Sequence, residues 1–64
     1  GLKQGIRRAI RLGCKLRFGQ QGLEILVQLE AIDDLSILEA INDGLESGME
    51  LEQIRKIIFT SSNK

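Results

Sequence analysis

A single cysteine, Cys14, and no histidine deny this chain the two staples on which small domains usually rely. One thiol makes no internal disulfide, and without His or a second Cys there is no structural zinc site. A chain of 64 residues folds as one domain and hides only about 60% of the surface its unfolded form exposes. It must therefore be held by efficient helix packing or by a partner chain. The apolar share of 42% is too high for a disordered tail with a net charge of zero. No apolar run approaches the roughly 20 residues that span a bilayer, and no signal-peptide pattern is present. The expectation is a cytosolic module that does not enter a membrane.

The charges are sorted along the chain. Residues 1–22 hold Lys3, Arg7, Arg8, Arg11, Lys15 and Arg17 with no acid. Residues 23–52 hold nine acids and no base, and Arg55, Lys56 and Lys64 follow. Such sorting lets a basic helix lie against an acidic body, or lets it meet nucleic acid or an acidic partner.

Periodicity predicts an all-α fold, a small bundle of about four helices. The first runs from about Leu2 to Phe18, with Leu2, Ile6, Ala9, Ile10, Gly13 and Leu16 on one face and Leu12 at its flank. Arg7, Arg11 and Lys15 follow on the other side, with Arg8 beside them. Gly5 and Gly13 weaken this helix by about 1 kcal/mol each relative to Ala, and Gly13 opens the stripe to close approach by another helix. Gly19-Gln20-Gln21-Gly22 reads as a turn. A second helix, about Leu23 to Ile32, has Leu23, Leu26 and Val27 on one side and Ile25, Leu29 and Ile32 on the other. Being apolar on both sides, it is expected at the centre of the bundle or against another subunit.

Asp33-Asp34 can cap a third helix that runs to about Glu46, although Ser36 with Glu39 also fits a capping box one turn on. Leu35, Ile37, Leu38, Ile41 and Leu45 form its stripe. Ser47-Gly48 marks a break before a fourth helix, Met49 to about Phe59, with Leu51, Ile54, Ile57 and Ile58 inward. Residues 60–64 read as a frayed polar tail.

Little in the chain can do chemistry. Cys14 is the one candidate nucleophile, and no His is present to deprotonate it, although Arg7, Arg11 and Lys15 lie close in sequence. A lone Cys beside an apolar stripe reads as a small apolar residue. Glu30, Asp33 and Asp34 lack the glycine-kinked order of a calcium loop, and a helix cap accounts for the aspartates. The Gly19–Gly22 segment lacks the Lys-Ser/Thr ending and the preceding strand of a phosphate loop. No catalytic, metal or cofactor residue is expected, and no small-molecule ligand.

Arg7, Arg8, Arg11 and Lys15 are the candidate nucleic-acid contacts, able to touch phosphates but lacking an interleaved aromatic or an adenine-reading Asn.

The segment 15–58, together with the Gly-rich basic helix GLKQGIRRAI of residues 1–10, resembles the C-terminal region of bacterial recombination-promoting nucleases, also described as transposase-like, of the PD-(D/E)XK superfamily. The Arg17-Phe18-Gly19 turn, the apolar helix after it and the final Leu51-Glu52-Gln53-Ile54 helix carry the likeness. The resemblance implies an accessory module of a magnesium-dependent DNA endonuclease whose catalytic core is absent here. It also implies a partner, either a second copy or the parent nuclease chain, which a separately made short C-terminal product pairs with and restrains in some family members. A first residue that is not Met, Gly1, reads as an excised domain, a tag remnant plus domain, or a processed short product.

The leading expectation is thus a non-catalytic oligomerisation or regulatory domain, a homodimer with an apolar seam of Leu2, Ile6, Ile10, Ile25 and Leu29. The alternative is a DNA-contacting appendage.

Overall fold

The computed structural model describes residues 1–62. Its order is α1 (Leu2–Phe18), a 3-10 turn (Gly19–Gly22), α2 (Leu23–Leu29), α3 (Leu35–Glu46) and α4 (Leu51–Ser62). Among the described residues the fold is all-helical, a small bundle built chiefly on α1, α3 and α4 with the two-turn α2 folded back along α1.

α1 ends at Gly19, whose φ of 60° is a conformation that side-chain-bearing residues rarely adopt. The backbone then tightens into the 3-10 turn instead of opening into a loop, and passes directly into α2. A Cβ on Gly22 would lie 3.2 Å from the Cys14 carbonyl oxygen and 3.3 Å from its Cβ, so the return depends on a bare backbone there. Gly13 does the same for α3: its Cβ would sit 3.2 Å from Leu45 Cδ1. The close approach that the sequence allows at Gly13 is therefore made, and its partner is α3.

α2 stops at Leu29, three residues short of its predicted end, and Glu30-Ala31 form a turn. Ile32 remains buried beyond it. Asp34 is the N-cap of α3, its carboxylate accepting the Ser36 N–H at 2.9 Å. That is the earlier of the two starts compatible with the sequence. At the far end Gly48, with φ 89°, reverses the chain. α4 begins two residues later than expected, where the Glu50 N–H donates to Gln53 Oε1 at 3.1 Å. It also runs on through Thr60 to Ser62, with Ser61 Oγ donating to the Ile58 carbonyl. The polar tail expected at 60–64 is thus helical to Ser62; the remainder, Asn63 and Lys64, lies outside the described residues.

The core joins all four segments. Ile10 and Cys14 of α1, Ile25 and Leu29 of α2, Ile32, then Leu38, Ile41 and Leu45 of α3 and Ile54 and Ile58 of α4 are buried. Among the described residues no helix is long and apolar enough to cross a membrane.

Candidate interaction surface

Most of the basic helix is engaged by its own protomer. Lys3 Nζ lies 3.3 Å from Asp33 Oδ1, and Arg7 donates to the Ile32 carbonyl at 2.6 Å while standing 3.6 Å from Asp33. Arg11 pairs with Glu30 at 3.0 Å. These contacts run antiparallel along α1 and α2 and hold the acidic end of α2 against the basic helix. The Arg7 Nε is buried without a partner among the described residues. Arg17 reaches the other way, donating to the carbonyls of Met49 at 2.7 Å and Leu45 at 3.4 Å. It supplies donors at the C-terminal end of α3, where helix carbonyls lack intrahelical partners. Its guanidinium also lies 4.8 Å from the Phe18 ring centroid.

Of the four candidate nucleic-acid contacts, Arg7, Arg8 and Arg11 line one shallow depression of about 350 Å³ with Gln4 and Glu30. Lys15 is not part of it. The Glu30 carboxylate stands among those cations and Arg7 and Arg11 are already paired, so the depression is a poor seat for a phosphate. Arg8 and Lys15 are exposed and make no ion pair or hydrogen bond among the described residues. Of the four expected cations, two are thus without an ion pair or hydrogen bond among the described residues.

The expected apolar seam is also corrected. Ile10, Ile25 and Leu29 lie in the protomer's own core, and Ile6 packs half-buried against it. Leu2 alone of the five is exposed, at 67%. The same register error affects the inward stripe of α1: Ala9 and Leu16 lie outside, while Cys14 is inside. The reason is the docking of α3 at Gly13 and of Gly22 at Cys14, which turns the Ile6-Ile10-Gly13-Cys14 side inward.

That rotation leaves exposed a second apolar stripe, about 100° round α1 from the buried one. Leu2, Gly5, Ala9, Leu12 and Leu16 are all exposed, Leu12 at 59% and Leu16 at 78%. Their spacing alternates three and four residues, the step of a helix–helix seam. Counting the apolar residues of α1 as one face puts Leu16 inward and Leu12 only at the flank. Splitting them into two sets, 2-5-9-12-16 and 6-10-13, would have found the stripe. On α2, Leu23 and Val27 are likewise exposed, whereas the Ile25-Leu29-Ile32 side is shielded within the protomer.

A separate open cleft of about 600 Å³ lies between α2 and the C-terminal part of α4. Its apolar lining includes Ile25, Ile32, Ile37 and Ile58. Its charged groups have structural partners: Arg55 bridges Glu24 and Glu52, Asp33 holds Lys3, and Asp34 caps α3. Cys14 is buried away from it, and burial pushes its thiol above the ordinary range, against a smaller opposing pull from Arg17. The protonated thiol is a poor nucleophile. Among the described residues no cluster of three or more His, Cys, Asp or Glu could hold a metal ion.

Compared with protein-family models, with curated proteins and with solved structures, the chain finds no match in any of the three.

Proposed function

We propose that this chain is a non-catalytic association module, a helical bundle completed by a second polypeptide through the outer face of α1. The observation that carries the reading is that α1 bears two adjacent apolar stripes and its own protomer covers only one of them. Single exposed leucines are ordinary on a protein surface. Three on one helix at seam spacing, with Gly5 and Ala9 between them, form a continuous strip. Burying a leucine is worth about 1.5–3 kcal/mol, a large gain for a domain with so small a core. The resemblance adds the context of a nuclease-like parent protein, in which such a module would pair or restrain chains.

The test is the mass in solution of the wild type and of a Leu12→Glu/Leu16→Glu variant. Wild type is expected to associate in the micromolar range and the variant to stay monomeric with unchanged helicity. A wild type that remains monomeric at 100 μM would overturn the reading, on the arithmetic that even a Kd near 1 μM corresponds to only about 8 kcal/mol.

The alternative, a DNA-contacting appendage, rests on Arg8 and Lys15, which are unpaired among the described residues. Two phosphates give a salt slope of about −2. A measured slope near that value, lost in an Arg8→Gln/Lys15→Gln variant, would favour it.

A further inference from the structure

This inference rests on the association reading above and names the partner. The outer strip of α1 has edges of opposite character. Toward α2 it is bordered by Arg8 and Lys15, both exposed and without partners among the described residues. On its other side lies α3, docked along Gly13 and Arg17. The exposed residues of α3 are Ser36, Glu39, Ala40, Asp43 and Glu46, so every exposed charge on that helix is acidic. Among the described residues Glu39 and Asp43 have no side-chain partner, and Glu46 accepts only from Asn42. The strip thus runs between two exposed cations on one side and, on the other, a helix whose exposed charges are all acidic, on a molecule whose net charge is zero.

Symmetry decides how two such faces can meet. A two-fold axis perpendicular to α1 makes the helices antiparallel and lays each edge on its own copy. The basic edge would then oppose the basic edge, and the acidic helix the acidic helix. A two-fold axis parallel to α1 makes the helices parallel and lays the basic edge of each protomer on the acidic edge of the other. The apolar strip then meets itself in register, and Gly5 and Ala9, which carry little or no side chain, let the two helices approach closely. The strip runs nearly the length of α1, whose 17 residues extend about 25 Å. Isologous two-fold pairing is also the commonest form of homo-oligomer.

We infer that the outer strip of α1 is occupied by a second copy of this chain, paired in parallel about a two-fold axis. Leu2, Ala9, Leu12 and Leu16 meet their own counterparts, and Arg8 and Lys15 of each copy face the acidic α3 edge of the other.

Cysteine cross-linking in the full chain, beside a mass measurement, tests this. Cys14 is fully buried, so wild type serves as the background control under mild oxidation. Leu16→Cys alone is expected to give a disulfide-linked dimer, and Leu2→Cys alone likewise, because parallel pairing brings each residue to its own copy. A dimer that cross-links only when the Leu2→Cys and Leu16→Cys chains are mixed would overturn parallel pairing while leaving the association reading intact. A wild type monomeric at all concentrations overturns both. The charges supply a second arm. Arg8→Glu/Lys15→Glu and Glu39→Lys/Glu46→Lys are each expected to weaken self-association about tenfold or more, and the two variants to pair with each other when mixed. Self-association of both variants at wild-type strength would overturn the edge assignment.

Discussion

Arg7 and Arg17 act as braces, each tying α1 to the carbonyls at the end of a different element. Arg7 meets the Ile32 carbonyl beyond α2, and Arg17 meets the Leu45 and Met49 carbonyls at the end of α3. A hydrogen bond from a charged donor contributes about 1.5–3 kcal/mol at best, and exposure of Arg17 lowers that. Arg7→Ala and Arg17→Ala are each expected to cost about 1–2 kcal/mol in urea unfolding, whereas Arg8→Ala and Lys15→Ala should fall within about 0.5 kcal/mol of wild type for the monomer. Equal effects at all four positions would contradict the distinction between bracing and free cations. Cys14 adds a pH dependence. Burial raises its thiol pKa in the fold, so the unfolded chain releases that proton first as pH rises. The contribution is fully present below the ordinary thiol value of 9.0 and is lost as pH climbs through the higher folded value. Stability should therefore decline above about pH 9 in wild type, and Cys14→Ala should remove that part of the decline, as read from thermal midpoints against pH.

The boundaries of α1 and α3 are written in local chemistry, which explains why the sequence reading recovers them. Gly19 at positive φ ends the first, and the Asp34 carboxylate starts the second. Asp34→Ala is expected to lower stability by about 1 kcal/mol, measured by denaturant unfolding. What local chemistry does not carry is the rotation of α1 about its own axis. Nine of its positions between Leu2 and Leu16 are apolar or Gly, enough for two stripes, and a single-face count merges them. Long-range packing chooses between the stripes: Leu45 against Gly13, and Cys14 against Gly22. The same limit explains Ile10, Ile25 and Leu29, which periodicity identifies as apolar-face residues without saying which molecule covers them. The early end of α2 reflects Arg7 and Lys3 drawing the chain at Ile32 and Asp33 toward α1. Gly5 supplies a check on the exposed side. A Cβ there meets nothing within 4 Å, so Gly5→Ala should stabilise the dilute monomer by up to about 1 kcal/mol through helix propensity alone.

At the scale of the whole molecule, a little under half of the sorted charges are paired internally. Lys3, Arg7 and Arg11 neutralise Asp33 and Glu30 across the α1–α2 pair, and Arg55 neutralises Glu24 and Glu52 beside α4. The separation of cations and acids along the chain therefore reads, in three dimensions, in part as an internal clasp. The unspent remainder is an apolar strip on α1 between free cations and the acidic α3. The measurement that bears on it most directly is sedimentation equilibrium of the full chain from 1 to about 100 μM at moderate salt, beside the Leu12→Glu/Leu16→Glu variant. The mass should rise from one chain to two in the wild type and stay at one in the variant, with helical content the same in both. A wild-type mass fixed at a single chain across that range, or a variant that dimerises as readily, would contradict the account.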